Sequence, residues 1–154
     1  MEKTNVAANK ELVKKFFQNF EEGRRDEVEK LWGPNYRLNF PGSPQPLSKT
    51  EAKQKMKEYN TAFPDLRFTI QSQYVDGDTV ITRSIGRATH KGEFNGIAPT
   101  NKKISATNIS IHRIENNKIV EETVEFDALG LIQQLCAFSE TTRGIAEKAL
   151  SSVH

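Results

Sequence analysis

The chain has 154 residues, of which 36% are apolar and 27% charged, a size and balance typical of one globular domain. Its 22 basic and 20 acidic residues are interleaved and leave a formal net charge of +2, so no basic stripe for nucleic acid is visible. No segment approaches the ~20 apolar residues that span a bilayer, and the first ten residues lack the apolar stretch of a signal peptide. These features predict one domain over residues 1–154 in the cytoplasm, without nucleic-acid or membrane partners.

The sequence contains no pattern typical of a metal site or a disulfide. Cys136 is the only cysteine, which excludes an internal disulfide and a multi-cysteine metal site. Because Cys136 lies in an apolar run, a buried structural thiol is favoured over a nucleophile. No set of histidines and carboxylates has metal-ligand spacing, so the sequence predicts no metal site.

The first half predicts two helices followed by a strand. Apolar residues recur at the spacing of one helical face between Leu12 and Phe20, and Gly23 provides a natural stop. A short second helix follows over residues 26–31. Apolar and polar residues then alternate over residues 36–40, the period of a β-strand.

The remainder predicts one more helix, four strands and a helical tail. Ser48 followed by Glu51 has the pattern of a capping box, so a third helix begins at Ser48 and ends before Pro64. Four runs rich in β-branched residues follow, with turn signals at residues 76–78 and 116–117. Two helical segments, residues 128–137 and 142–150, end the chain. This order favours an α+β fold with an antiparallel sheet and helices on one face.

Residues 89–100, Thr-His-Lys-Gly-Glu-Phe-Asn-Gly-Ile-Ala-Pro-Thr, resemble the pattern Thr-His-x-Gly-x-Phe-x-Gly-x-x-Pro-Thr of the SnoaL-like polyketide cyclases, also called ester cyclases. Lys-Ile-Val-Glu at 118–121, Asp127 and Gly-Leu-Ile-Gln-Gln-Leu at 130–135 continue the pattern. The resemblance implies a cone-shaped, curved antiparallel sheet wrapped around N-terminal helices. This is the cystatin-like α+β barrel of the nuclear transport factor 2 superfamily, with a pocket inside the cone.

The resemblance also implies a reaction. Cyclases of this type close a ring by an intramolecular aldol reaction without metal or organic cofactor, using an aspartate as the base. Asp127 occupies the motif position of that aspartate, and His112 or His90 is available to stabilise the enolate oxygen. The family commonly has tryptophan four residues before the aspartate, where this chain has Thr123. The leading hypothesis is cyclase or isomerase chemistry on a small apolar carbonyl compound.

The last hairpin offers a polar face for such a site. If Asn116 and Asn117 form a two-residue turn, the cross-strand pairs are His112 with Glu121, Ser110 with Thr123, Asn108 with Glu125, and Ala106 with Asp127. That face lines a pocket or meets solvent. The opposite face is expected to be a packing surface, formed by Ile109, Ile111, Val120, Val124 and Phe126. A single bulge would move His112 to the other face.

The expected substrate contacts are Trp32, Phe40, Tyr59, Phe63, His90, Asn108 and Thr123. Structural roles compete with the catalytic ones, because Asp127 directly precedes a helical run and can cap it, a contribution of ~1 kcal/mol. His112 can instead pair with Glu121 at the surface, and His90 can close a loop. Alternative functions are an epoxide hydrolase or dehydratase, or a dimeric ligand-binding module without turnover. A homodimer is expected to form through Ile109, Ile111 and Val124.

Overall fold

A computed structural model describes residues 5–136 of the chain. The elements are α1 (Val6–Glu21), α2 (Arg25–Leu31), β1 (Trp32–Asn39), α3 (Lys49–Ala62), β2 (Arg67–Asp76), β3 (Thr79–Thr89), β4 (Lys103–Glu115), β5 (Lys118–Phe126) and α4 (Ala128–Leu135). The predicted order of helices and strands is confirmed, although β1 begins four residues before the predicted alternation. The helix predicted over 142–150 lies outside the described residues.

The five strands form one curved sheet in the order β1-β5-β4-β3-β2. Strands β2 to β5 are an antiparallel meander, whereas β1 pairs with β5 in parallel. Helix α1 packs against β2 and β3, and α3 packs against β1. This arrangement confirms the α+β cone, with the difference that one edge strand runs parallel to its neighbour. None of the described helices has the length and apolar character needed to cross a membrane.

Helix α1 supplies much of the core inside the sheet. Its buried apolar residues are Leu12, Val13, Phe16 and Phe17, and full burial of each such side chain stabilises the fold by about 1.5–3 kcal/mol. Helix α3 begins with the predicted capping box, in which the Ser48 amide donates to Glu51 Oε2 at 2.7 Å and the Glu51 amide donates to Ser48 Oγ at 3.4 Å. Both helices pack on strands of the same sheet, α1 on β2 and β3 and α3 on β1.

The hairpin of β4 and β5 contains a bulge, which makes the predicted register wrong. Ile114 pairs with Ile119 but Arg113 pairs with Glu121, so Val120 has no partner of its own on β4. His112 therefore pairs with Glu122 instead of Glu121. An extra residue in one strand reverses the face of every residue beyond it.

The bulge redistributes the two faces of the hairpin. The expected pairs Ser110–Thr123, Asn108–Glu125 and Ala106–Asp127 are replaced by Ser110–Val124 and Asn108–Phe126. Asn108, Ser110 and His112 are buried, on the same side as Glu122, Val124 and Phe126. Ile109 and Ile111, expected in a packing surface with Val124 and Phe126, instead face outward with exposed fractions of 46% and 38%. Val124 and Phe126 face the interior of the cone.

Candidate active site

A cavity of about 130 Å³ lies between the sheet and helices α1 and α3. Its wall is mainly aromatic and aliphatic. Of the expected substrate contacts, Trp32, Phe40, Tyr59, Phe63 and Asn108 line the cavity. The other lining residues with polar side-chain atoms are Tyr36, Lys55, Ser110 and Glu122.

Glu122 brings a carboxylate into this apolar space. Among the described residues that line the cavity, it alone carries one, and only 6% of the residue is exposed. The Tyr36 hydroxyl donates a hydrogen bond to Glu122 Oε2 at 2.6 Å. Glu122 Oε1 lies 3.5 Å from His112 Nε2, which is longer than a good hydrogen bond. One carboxylate oxygen is thus fixed by Tyr36 and the other is less constrained.

Tyr36 holds Glu122 from strand β1. Its side chain is fully buried, and its ring stacks on Trp32 with centroids 4.2 Å apart. Burial, the charge of Glu122 and the hydrogen bond to Glu122 raise the pKa of the Tyr36 hydroxyl well above its ordinary value. The hydroxyl therefore remains protonated near neutral pH and acts as a donor to the carboxylate.

His112 lies behind Glu122, outside the set of residues that line the cavity. It is fully buried, with its ring centroid 5.0 Å from that of Phe16 and 6.0 Å from that of Phe17. This position replaces the alternative of a surface residue paired with Glu121. Within residues 5–136, no three His, Cys, Asp or Glu side chains converge as ligands for a metal ion.

Asp127 lies at the end of β5, outside the cavity lining. It is exposed and caps α4, with Oδ1 accepting a hydrogen bond from the Gly130 amide at 2.8 Å. The capping role weighed from the sequence is therefore present. The catalytic role of Asp127 stays a prediction from the motif.

His90 and Thr123 also lie away from the cavity lining. His90 is fully buried, and its Nδ1 accepts a hydrogen bond from the Thr100 amide at 3.2 Å and lies 3.0 Å from Thr100 Oγ1. The backbone of His90 also pairs with Asn101 and Lys102, so this residue closes the loop between β3 and β4. Thr123 Oγ1 accepts a hydrogen bond from Asn39 Nδ2 at 3.1 Å.

Sequence reasoning did not find Glu122 or Tyr36, and it placed Ser110 on the polar face of the hairpin without giving it a role. Each has an ordinary place in a strand, and nothing in its immediate neighbours marks it as part of a site. Glu122 is assigned to the outer face by the regular hairpin register and to the inner face by the bulged one. The only warning available was that a bulge would exchange the two faces of the hairpin.

The fold and cavity define a small α+β cone protein with a carboxylate held in an apolar pocket. The family model for SnoaL-like polyketide cyclase matches residues 11–135, and the chain belongs to that family. No functionally curated protein matches the chain.

Solved structures of similar proteins have the same fold. AclR from Streptomyces galilaeus, described as a candidate hydroxylase, is 24% identical with a TM-score of 0.81, covering 88% of this chain and 100% of AclR. A candidate polyketide cyclase from Acidithiobacillus ferrooxidans is 26% identical with a TM-score of 0.73, covering 86% and 97% of the two chains. A protein with a ketosteroid isomerase-like fold from Catenulispora acidiphila, in complex with trimethylamine, is 13% identical with a TM-score of 0.68, covering 81% and 92%. The fold is that of the nuclear transport factor 2 superfamily.

Proposed function

We propose that this chain is a cofactor-independent enzyme of the cyclase or isomerase type. It removes a proton from a carbon next to the carbonyl group of a small, apolar compound. Membership of the SnoaL-like polyketide cyclase family supports this chemistry. The observation that carries the proposal is the buried Glu122 carboxylate, which faces an otherwise largely apolar cavity.

Glu122 is the proposed base. A general base must lie within hydrogen-bond reach of the proton that it takes, and the position of Glu122 in the cavity wall supports this role. Tyr36 holds the carboxylate by donating a hydrogen bond to Oε2, and the carboxylate oxygen that faces the bound compound accepts the proton. The electron pair of the broken C–H bond forms the enolate. In a cyclisation the enolate attacks a second carbonyl, whose oxygen then takes the proton back from Glu122. In an isomerisation the enolate is conjugated with a further double bond, and Glu122 returns the proton to the remote carbon. An apolar wall limits competing protonation by water.

Asp127 remains the alternative base suggested by the family motif. Its carboxylate is exposed and accepts the hydrogen bond that caps α4. A substrate confined to the cavity meets Glu122, since Glu122 lines the wall and Asp127 does not. The proposal therefore assigns the proton transfer to Glu122 and the start of α4 to Asp127.

Proton exchange provides a test that does not require the natural substrate. We expect the protein to speed the uptake of deuterium from D₂O at the carbon next to the carbonyl of 1-tetralone, a small apolar ketone, with saturation kinetics measured by NMR. A ketone without hydrogen on that carbon, such as benzophenone, is the control for nonspecific signal loss. Binding of 1-tetralone in the cavity without any exchange would contradict proton abstraction and favour the ligand-binding module.

In the epoxide hydrolase alternative, the Glu122 carboxylate activates a water molecule. In the dehydratase alternative, it assists the release of water from the substrate. With an epoxide as the probe, incorporation of labelled oxygen from water into the product would support the hydrolase. Loss of water from a β-hydroxy ketone would support the dehydratase.

We also propose a homodimer that covers the outer face of the sheet. Ile109 and Ile111 are neighbours on this face of β4 and are substantially exposed, whereas Val124 faces the cavity and is no longer part of the proposed interface. We expect sedimentation to show a dimer that becomes a monomer when Ile109 and Ile111 are both replaced by lysine. The matched control replaces Val6, an exposed apolar residue on α1, by lysine. A wild-type monomer that persists as concentration rises would contradict the dimer.

A further inference from the structure

Ser110 is a buried serine in the wall of the cavity. The residue lines the cavity and is 1% exposed, and its Oγ has no hydrogen-bond partner among the described residues. Because a serine hydroxyl is only one bond beyond Cβ, a serine that lines a cavity holds its hydroxyl close to that wall. A buried hydroxyl without a partner is unfavourable, so this position is suited to a ligand atom that completes the hydrogen bond.

The neighbouring buried hydroxyls already have partners in the protein. Thr82 lies directly opposite Ser110 on β3, and its Oγ1 accepts a hydrogen bond from Gln73 Nε2 at 3.2 Å. Ser84 Oγ accepts one from Asn108 Nδ2 at 3.2 Å. Both Thr82 and Ser84 are fully buried and neither lines the cavity. The hydroxyl at the cavity wall thus differs from those behind it in having no partner within the described chain.

The strand register places Ser110 close to Glu122. Ser110 pairs with Val124, and His112 pairs with Glu122, so Ser110 and Glu122 are diagonal neighbours on one face of the hairpin. Such neighbours have Cβ atoms roughly 7–8 Å apart or somewhat less. Both residues lie on the inner face of the hairpin and line the same cavity, so one small ligand group can reach both, with its carbonyl oxygen toward Ser110 and the adjacent C–H toward Glu122.

We propose that Ser110 forms the oxygen subsite of the cavity and donates a hydrogen bond to the carbonyl oxygen of a ketone or aldehyde. When Glu122 takes the proton from the adjacent carbon, the electron pair of that C–H bond forms a carbon–carbon double bond. The carbonyl π electrons then move to the oxygen. Ser110 keeps its own proton and stabilises the new negative charge by donating to it. This catalytic part rests on the proposed function, whereas recognition of the carbonyl group does not.

A pair of probes of nearly equal shape isolates the hydrogen bond. 2-Acetylnaphthalene carries a carbonyl oxygen where 2-isopropenylnaphthalene carries a CH₂ group, and calorimetry gives the affinity of each. We expect the wild-type protein to favour the ketone by about fivefold, the usual net worth of one hydrogen bond. Ser110→Ala should lose this preference and keep its affinity for the hydrocarbon. Thr82→Val, which removes a buried hydroxyl outside the cavity lining, should retain the preference.

Thermal unfolding without a probe provides the second readout. We expect the melting temperature of Ser110→Ala to equal or exceed that of the wild type, because the variant loses a hydroxyl without a partner. An unchanged ketone preference in Ser110→Ala, or a melting temperature lowered as much as in Thr82→Val, would overturn the oxygen subsite. A ketone preference that depends on Ser110, together with no deuterium exchange, would retain the subsite and reject the proposed function.

Discussion

Glu122→Gln should lower the rate of deuterium exchange by about a hundredfold to ten-thousandfold, the usual contribution of a general base. Glutamine has nearly the same size, and its amide oxygen can still accept the hydrogen bond from Tyr36, but it cannot take a proton from carbon. The rate constants of wild type and variant are compared by NMR at saturating ketone. Affinity for the ketone should change little, because the cavity wall keeps its shape.

Asp127→Asn is the matched control for Glu122→Gln. Asparagine is as good an N-cap as aspartate, so helix α4 and the free energy of unfolding should be preserved to within about 0.5 kcal/mol. Exchange by Asp127→Asn should remain close to the wild-type rate, since this carboxylate lies outside the cavity lining. If Glu122→Gln remained active and Asp127→Asn became inactive, the base would be Asp127, as the family motif implies, and the assignment to Glu122 would be wrong.

Gly92→Ala should lower the free energy of unfolding by about 1–3 kcal/mol, the usual cost of forcing an added methyl group into a packed region. A Cβ at Gly92 would lie 2.3 Å from Thr61 O and 3.1 Å from Ala62 Cα, and these are backbone atoms that cannot rotate away. The amides of Lys91 and Gly92 both donate to Ala62 O, at 2.9 Å and 3.1 Å. The loop therefore cannot move off the end of α3 without losing these hydrogen bonds. Urea denaturation measures the effect.

Gly42→Asn serves as the control for the glycine substitution. Gly42 has a φ of +82° and no atom within 4 Å of an added Cβ, and asparagine tolerates left-handed backbone better than most residues. Its free energy of unfolding should fall by less than that of Gly92→Ala. Equal losses in the two variants would show that the close approach to α3 does not determine the stability of this loop.

The sequence predicted the features that local chemistry controls. The capping box at Ser48 and Glu51 determines where α3 begins, because both partners lie within one turn. The aromatic wall at Phe40, Tyr59 and Phe63 followed from helix and strand periodicity together with the resemblance. The identity of the inward carboxylate could not be predicted, since Glu122 faces inward only when Val120 is left unpaired.

The motif that carried the resemblance is mainly structural in residues 89–92. Thr89 donates to Asp65 through its amide and its hydroxyl, each at 2.7 Å, and these two hydrogen bonds lower the pKa of Asp65. His90 contacts Thr100 and so holds the two ends of the loop between β3 and β4 together. Gly92 allows the backbone of this loop to lie close to the end of α3. Spacing alone could not distinguish these roles from catalysis, because the polar groups that satisfy a loop backbone are also those that perform proton transfer.

The unpaired Val120 determines which side chains of β5 reach the cavity. In a regular hairpin, Glu121, Thr123 and Glu125 would face inward. The part of the cavity wall formed by β5 would then be polar and carry two carboxylates. With the bulge, this part of the wall carries the Glu122 carboxylate beside Val124 and Phe126. A change in the pairing of β4 with β5 that removed the bulge would therefore convert a largely apolar cavity surface into a polar one, with the residues of both strands unchanged. Strand register, as well as residue identity, then determines which carboxylates reach the substrate.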